Sequence, residues 1–562
     1  MTVTGLLFFA CAAVAALVFQ WLPARFRLPW LLLVSAAFIA TWSWQFVLVL
    51  AAYSGVNYFL GLRSSPSAPH FKRWARAGIA FNILFLFIFK YSDFFLPQFS
   101  TLLNSLGLLE PGRVLLILLP VGLSFLTVQN ISYLLDVANK RLPAETGFVR
   151  FALYIAWFPK LLSGPVERAR LFLPRLAAPI TVDRQLLERS AALILTGLVR
   201  KIVLANPLFN MIPGAAFATP LDYPGQNLFF WLLAYAFALY NDFAGYTAIA
   251  RGVSLWFGIE LSPNFNLPYY ARNFTEFWNR WHITLSQWLR DYIFYPLSWS
   301  LRRRVPDQNH WVNIVLPPMV TLLVSGMWHG LSWNLLLWGC LHGLYLVLER
   351  LPALVKPSPP LNKRPRWRQR LGILVTFILA ALAWVPFRMD LPIALHYWQG
   401  LLRWTLPDFL GVARMLVGWS PLSGWSQFAL PNPLLVLILA LAITLDVLQH
   451  RAGSEEFLAD WPRWAQVLLV LNASPYHIDK VSTRHDILRQ RIEETGLPVI
   501  YANMVGGQDE LVFDGASFAM DSGGRLTHQF ASFEERLGLV ELRGGEPQCG
   551  ECVEPEREEA GI

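Results

Sequence analysis

Charged residues are scarce in this sequence. Only 15% of its 562 residues are Asp, Glu, Lys or Arg, whereas a soluble globular domain carries about a quarter. Hydrophobic residues make up 55% of the chain, and 24 residues are tryptophan. This balance excludes an ordinary soluble enzyme and indicates a chain that is solvated mainly by lipid.

Cysteine is also scarce, with four residues in the whole chain. Cys11 and Cys340 lie within apolar runs, where a small buried side chain is the ordinary role. Cys549 and Cys552 form a single CxxC near the C-terminus. A structural zinc site needs a second pair of ligands, so we expect no bound metal.

Apolar runs recur along the chain at lengths near that of a bilayer span, which takes about 20 helical residues. We expect an all-α polytopic membrane protein with eleven or more membrane segments, at residues 6–21, 31–44, 46–62, 79–95, 114–137, 193–208, 228–249, 312–327, 333–348, 371–387 and 434–448.

Short basic loops predict the orientation of the first spans. Arg and Lys residues cluster after the first, third and fifth apolar runs, and such clusters are missing after the second and fourth. Because basic loops stay in the cytoplasm, we expect an N-terminus outside the cell. Loop 63–76 is then cytoplasmic and loop 97–113 external.

The composition changes near Leu471. Residues 472–562 hold 8 basic and 17 acidic residues, whereas the preceding part holds 38 basic and 20 acidic residues. The acidic part lacks any apolar run of spanning length and reads as short strands after an amphipathic helix near 484–495. We therefore expect a membrane domain at 1–470, a truncated α/β fragment at 471–543 and a disordered acidic tail at 544–562.

One histidine stands in the otherwise apolar run "LVSGMWHGLSWNLLLWG". A titratable group inside a membrane protein is costly and often functional. His329 is either a buried residue that bridges two helices or a general base, since imidazole titrates near neutral pH. For His342, thirteen residues later, we expect structural support rather than a catalytic role.

A second polar stretch is "NFTEFWNRWHITLSQWLRDYIFYPL", residues 273–297. As one helix ended by Pro296, it aligns polar side chains on one face and an aromatic stripe beside them, which suits a water-filled cavity. Glu276 with Arg280, and Arg290 with Asp291, read as structural pairs. The polar face comprises Thr275, Asn279, His282, Ser286 and Arg290.

These two stretches, with "YNDFAGYTAIARG", "PVGLSFLTVQNISYLLDV", "WFPKLLSGPVERA" and "LAWVPFRMDLPIAL", closely resemble the membrane-bound O-acyltransferase family. The resemblance covers residues 1–470 and is strongest to the bacterial alginate O-acetyltransferase type. It implies a helical bundle around a central funnel. It also implies catalytic roles for His329 and His282, with substrate-binding roles for Asn279, Ser286, Trp278, Trp281 and Trp328.

The implied reaction moves an acyl group, which is acetyl in this branch, from a cytoplasmic thioester to a hydroxyl of an extracytoplasmic polysaccharide such as alginate. The donor is acetyl-CoA or a carrier-protein thioester, with no tightly bound cofactor. His329 acts as the base or carries the acyl group itself. The family also implies the bacterial inner membrane as location and a membrane-anchored acetyltransferase as partner, and no role for nucleic acid. D-alanyl transfer to a cell-wall polymer is the alternative, and a transporter is a weaker one.

Residues 471–526 resemble part of the glutaminase (nitrilase-like) domain of glutamine-dependent NAD synthetase. That domain works with a Glu, a Lys and a Cys that lie upstream of the matching segment, and here no cysteine occurs between Cys340 and Cys549. Amidohydrolase activity through this part is therefore not expected. The resemblance of the preceding part to the O-acyltransferase family implies that "WPRWAQVLLVL" begins a final membrane helix, which is cut short after Leu471.

Overall fold

The computed structural model describes residues 4–91, 104–105, 122–177, 182–307, 310–355, 365–405, 432–452, 468–472, 480–503, 505–508, 511–514, 516–533, 540–543 and 546–548. Its contacts divide the chain into two units, Met1–Arg451 and Ala452–Ile562. The first unit is helical in its described parts, and the second contains a small sheet. The expected classes, a helical membrane protein with a small α/β part, are confirmed.

The first half of the helical unit contains ten helices among its described residues. The loop 97–113, which we expect outside the cell, falls almost wholly outside those residues. The helices are α1 Leu6–Trp21, α2 Ala24–Ala40, α3 Trp44–Arg63, α4 Phe71–Lys90, α5 Leu123–Ala138, α6 Phe148–Ala156, α7 Ala169–Ala177, α8 Arg184–Leu198, α9 Asn206–Asn210 and α10 Gly225–Leu255.

The second half of that unit contributes eight more described helices. They are α11 Phe274–Arg280, α12 Ile283–Leu289, α13 Tyr295–Arg304, α14 Trp311–His329, α15 Trp333–Val355, α16 Arg366–Arg388, α17 Leu391–Gly400 and α18 Pro433–Ala452. Two π-helical turns, Val199–Ala205 and Arg290–Phe294, join α8 to α9 and α12 to α13. Such turns are rare and often occur near functional sites.

Six helical segments in the described parts are long and apolar enough to cross a membrane. Helix α1 is also apolar but shorter. Most residues of the long helix within Gly225–Leu255 are buried, which places it in the interior of the bundle. The six segments are Trp44–Arg63, Arg184–Asn210, Gly225–Leu255, Trp311–His329, Arg366–Arg388 and Pro433–His450.

Helices α14 and α15 form an antiparallel hairpin whose backbones touch. A Cβ atom on Gly326 would lie 2.4 Å from the carbonyl oxygen of Leu335, and one on Gly339 equally close to that of Leu322. Any larger residue at either position would push the helices apart. Glycine at these positions therefore lets α15 pack closely against α14 in this register. The register in turn sets which residues lie beside His329 at the end of α14.

A buried polar cluster connects the last described helix of this unit to its interior. Arg200 donates hydrogen bonds to Asn241 at 2.6 Å, to Asp446 at 2.9 Å and to Gln449 at 2.5 Å. All four side chains are buried, and the guanidinium also lies 5.1 Å from the ring centroid of Tyr240. Helix α18 is thereby attached to α10 and to the π turn after α8.

The second unit contains helix α19 (Lys480–Thr495) and eight short strands among its described residues. A four-stranded sheet has the order β1-β2-β5-β6, with β1 parallel to β2 and the other pairs antiparallel. Cys549, Cys552 and most of residues 544–562 lie outside the described residues. The strands are β1 Leu468–Asn472, β2 Val499–Asn503, β3 Val505–Gln508, β4 Leu511–Asp514, β5 Phe518–Met520, β6 Leu526–Gln529, β7 Leu542–Arg543 and β8 Glu546–Pro547.

Residues 468–471, which the sequence suggests as part of a final membrane helix, form strand β1 instead. Leu468 pairs with Val499 and Leu471 with Ala502 in the parallel ladder. Leu488 and Ile492 of α19 pack with Val499 in a small apolar core. A short run of Leu and Val is compatible with a strand as well as with a helix. Pairing with β2 favours the strand here.

Candidate functional site

The stretch 273–297 is broken where one continuous helix is expected. Helix α11 ends at Arg280, Trp281 is extended, and His282 has a left-handed backbone with φ 41° and ψ 54°. The backbone N–H of Ile283 donates to the carbonyl of Asn264, 2.8 Å away. The expectation of one helix is therefore wrong, because a neighbouring loop supplies the hydrogen bonds that the helix would have made. Pro296 lies inside α13 rather than ending the helix.

The break at Trp281 and His282 separates the imidazole of His282 from the rest of the expected polar face. Thr275, Asn279, Ser286 and Arg290 still lie together and line one pocket. His282 points elsewhere and is buried, with 2% of its surface exposed. The structure thus divides the sequence-derived candidates into a histidine cluster and a separate pocket.

Asn264 fixes the tautomer of His282. Its side-chain oxygen accepts hydrogen bonds from the backbone N–H of Thr284 at 3.3 Å and from the Thr284 hydroxyl at 2.9 Å. Because a backbone N–H can only donate, this amide atom must be oxygen. Nδ1 of His282, 3.0 Å from the same oxygen, must then carry the proton. Nε2 is left with a lone pair and no partner among the described residues.

His329 is the last residue of α14 and lies among aromatic rings. Its ring centroid is 4.8 Å from that of Trp328, 5.4 Å from Trp338 and 5.0 Å from Phe387, all edge to face. The imidazole makes no hydrogen bond to any residue in the described ranges and is partly exposed. Its nitrogens are therefore available to an incoming group.

The two candidate histidines share Trp328 as a neighbour. The His282 ring centroid lies 6.2 Å from that of Trp328, and the His329 centroid lies 4.8 Å from it. Phe125 also contacts both His282 and Trp328. Two residues 47 positions apart in the chain therefore bring their imidazoles to one aromatic cluster.

The C-terminus of α14 is held by the end of α4. Tyr91 donates its hydroxyl to the carbonyl of Met327 at 2.5 Å, and the ammonium of Lys90 donates to the carbonyl of Trp328. Lys90 also donates to the Ser124 hydroxyl at 2.9 Å. The last carbonyls of a helix lack partners within it, and a cation there is favoured by the helix dipole. The sequence did not identify Lys90 as a site residue, because all that distinguishes it there is a positive charge near the end of an apolar run.

The remaining sequence-derived candidates contribute aromatic walls or line the pocket. Trp281 is buried, stacks on Phe277 and accepts a hydrogen bond from the Ser286 hydroxyl through its carbonyl. Trp278 lines the pocket on one side and contacts His342 at 5.2 Å on the other. His342 is fully buried, and its nitrogens have no partner among the described residues.

Ion pairs stabilise helix α11 and the residues just before it. Glu276 accepts from Arg272 at 2.9 Å and from Arg280 at 2.8 Å, so the expected pair of Glu276 with Arg280 is present. Burial raises the pKa of Glu276, but the hydrogen bonds from both arginines outweigh it and lower that pKa to about 2. Asp291 pairs with Arg168 at 2.6 Å and also with Arg290 at 3.9 Å, so the expected pair of Arg290 with Asp291 is present but is the longer of the two contacts.

Comparison with known proteins connects this arrangement to an enzyme family. The sequence model for MBOAT, the membrane-bound O-acyltransferase family, matches residues 135–366. A "Probable alginate O-acetylase AlgI" from Azotobacter vinelandii is 35% identical over 397 residues, which cover 69% of this chain and 75% of that protein.

Two further relatives carry different names. A "Peptidoglycan O-acetyltransferase" from Helicobacter pylori is 32% identical over 66% of this chain and 73% of its own length. A "Teichoic acid D-alanyltransferase" from Streptococcus thermophilus is 32% identical over 48% of this chain and 68% of its own length. All three names describe the transfer of an acyl group. This chain belongs to the membrane-bound O-acyltransferase family and is an O-acyltransferase.

Among solved structures, a glutamine-dependent NAD+ synthetase from Acinetobacter baumannii matches 19% of this chain and 21% of its own, with 30% identity. The TM-score of 0.17 is too low for any inference about the fold or the activity of the matching part.

Proposed function

We propose that this protein moves an acetyl group from a cytoplasmic thioester towards hydroxyl groups of an extracytoplasmic polysaccharide, in the bacterial inner membrane. The named relatives support acetyl transfer, since two of the three carry O-acetyl activities in their names. The observation that carries the proposal is the imidazole of His329. It is partly exposed, it makes no hydrogen bond to described residues, and it lies beside the aromatic cluster that also holds His282.

In the proposed reaction, the acceptor hydroxyl attacks the thioester carbonyl carbon while His329 takes its proton. A carbon–oxygen bond forms, the tetrahedral intermediate collapses, and the carbon–sulfur bond breaks. The leaving thiolate takes the proton from the imidazolium and departs as a thiol. Nε2 of His282 carries a lone pair in its fixed tautomer, so His282 would accept a hydrogen bond from a second hydroxyl of the acceptor and orient the acceptor. A role for Nε2 as donor to the oxyanion does not fit this tautomer.

The acceptor need not be the polymer itself. A separate membrane-anchored acetyltransferase outside the cell would receive the acetyl group and complete its transfer to the polysaccharide. Histidine as a transient acyl carrier is the other route through the same residue, and it differs by a covalent acyl-imidazole that rapid quenching and mass spectrometry would detect.

The experiment compares His329→Ala with His396→Ala, which removes an exposed histidine on α17. Purified protein in lipid nanodiscs is given an acetyl thioester, and thiol release and acceptor acetylation are followed. We expect His329→Ala to lose activity by about a hundredfold or more, since general base catalysis contributes roughly that much. Thiol release near the level of His396→Ala would overturn the assignment, and a wild-type protein that consumes no thioester would favour a transporter.

D-alanyl transfer is the second candidate, favoured by the Streptococcus thermophilus relative. Acetyl transfer and D-alanyl transfer differ in the mass that they add to the acceptor polymer. Mass spectrometry of polymer from cells with and without the active protein decides between an acetyl and an alanyl ester.

A further inference from the structure

A lysine lies at the aromatic cluster that holds His282 and His329. Lys90 is the last residue of α4 and is half-buried, and its ammonium lies 5.4 Å from the ring centroid of Trp328. The same indole is the shared neighbour of the two imidazoles. Because the face of an aromatic ring attracts a cation, a partly desolvated ammonium is stabilised here. The cluster therefore contains a positive charge beside its two histidines.

Two segments of the chain fix the position of the Lys90 ammonium. It donates to the carbonyl of Trp328 and, at 2.9 Å, to the hydroxyl of Ser124. These two segments are themselves joined, because the indole N–H of Trp328 donates to the carbonyl of Ser124 at 3.2 Å. An ammonium has three N–H donors, and the described residues take two of them. One donor of a firmly held cation is thus left for a group that enters the cluster.

Lys90 also lies close enough to His329 for its charge to act on the imidazole. In the proposed reaction that imidazole becomes an imidazolium, so two cations then lie near each other. Their repulsion is strong where aromatic rings exclude water and the dielectric constant is low. The carbonyl oxygen of the thioester gains a negative charge in the same step. An oxygen that contacts Lys90 at this point offsets the repulsion, and it does so only in the transition state and the intermediate.

Other donors near the reacting centre suit this oxygen less well. Nε2 of His282 carries a lone pair and no proton in its fixed tautomer. The indole N–H of Trp328 is already donated to a backbone carbonyl. The indole N–H of Trp338, whose ring lies 5.4 Å from that of His329, lacks a described partner but is neutral. Since a charged donor makes a hydrogen bond about twice as strong as a neutral one, Lys90 is the better match.

We propose that the ammonium of Lys90 stabilises the oxyanion of the tetrahedral intermediate. This rests on the proposed thioester transfer with His329 as the base. As the hydroxyl oxygen bonds to the carbonyl carbon, the π electrons of the carbonyl move to its oxygen, which accepts a hydrogen bond from the third N–H of Lys90. When the carbonyl re-forms, the carbon–sulfur bond breaks and the thiolate takes the proton from the imidazolium. Lys90 keeps its three protons throughout.

The test changes the atom that Lys90 is proposed to contact. Purified protein in lipid nanodiscs is given S-acetylpantetheine or its dithioacetyl analogue, in which sulfur, a weak acceptor, replaces the carbonyl oxygen. We expect Lys90→Met to lower kcat for the oxygen compound by about a hundredfold or more, as loss of an oxyanion donor does. The same change should lower kcat for the sulfur compound about tenfold less, because the charged hydrogen bond is already weak there.

Lys90→Gln keeps a neutral donor for the carbonyl of Trp328 and should show the same fall in the ratio of the two kcat values. The control Lys72→Met changes an exposed lysine of α4 and should keep both rates. Trp338→Phe removes the competing indole donor and should keep the wild-type ratio.

An equal loss for both compounds in the two Lys90 variants would show that the lysine only positions its neighbours, and would overturn the proposal. A changed ratio in Trp338→Phe alone would assign the oxyanion to that indole and overturn it too. Thioester consumption that depends on His329, with an unchanged ratio in the Lys90 variants, would leave the proposed function intact. A wild-type protein that consumes no thioester would remove both.

Discussion

Nδ1 of His282 lies 3.0 Å from the side-chain oxygen of Asn264, and that contact sets which nitrogen of the imidazole is free. The same oxygen is fixed by the backbone N–H of Thr284. Nε2 then has a lone pair unused by the described residues, and the ring lies 6.2 Å from that of Trp328. A histidine in a left-handed backbone position is uncommon, and here the loop that contains Asn264 maintains it.

The first prediction concerns this contact. Asn264→Leu should lower acyl transfer by about ten- to a hundredfold, as loss of residues that orient a site histidine commonly does. Asn264→Asp keeps an acceptor oxygen and should retain more activity than the leucine variant. The measurement is the rate of thioester consumption at matched protein levels. Equal loss in both variants would show that the amide is needed for some other reason.

The second prediction concerns the end of α4. Lys90→Met leaves the carbonyl of Trp328 without its charged donor, and a buried group without a partner costs about 1–3 kcal/mol. We expect the turn that carries His329 to shift and kcat to fall. Lys90→Arg, which keeps a charged donor, should retain a higher kcat than Lys90→Met. Lys72→Met, on an exposed position of the same helix, is the control. Activity of Lys90→Met at the level of this control would exclude a positioning role.

The third prediction concerns the buried cluster of Arg200. Asp446→Leu removes one carboxylate and strands the guanidinium, which should lower the free energy of unfolding by about 3–5 kcal/mol. The double variant Arg200→Met/Asp446→Leu should recover much of the loss, because no unpaired charge remains. Denaturant unfolding in mild detergent measures both. A double variant as unstable as Asp446→Leu would mean that the charge is not the cause.

The fourth prediction concerns the second unit. A chain ended after Ala452 keeps Asp446 and Gln449, the contacts that attach α18, and should retain acyl transfer. Purified residues 472–562 should hydrolyse no glutamine, because a nitrilase-type site needs a thiolate, a base and a lysine that the matching segment does not supply. Glutaminase activity in that piece, or loss of acyl transfer in the shortened chain, would contradict this account.

The sequence by itself determined the membrane character, the helical class and the family, because apolar runs and the motifs around His282 and His329 are local properties of the chain. It also identified every histidine of the candidate site. The shorter ion pair of Asp291 with Arg168 could not be predicted, since the two residues are 123 positions apart in the chain.

Only the tertiary structure decided how residues 273–297 bend. Helical periodicity puts His282 on one face with Asn279 and Ser286, but hydrogen bonds from the Asn264 loop replace those of a continuous helix at this point. The break sends His282 to the aromatic cluster of Trp328 and leaves Asn279 and Ser286 in the pocket with Arg290 and Arg350. Contacts between distant segments are invisible to local periodicity, and here they divide one predicted polar face into two sites.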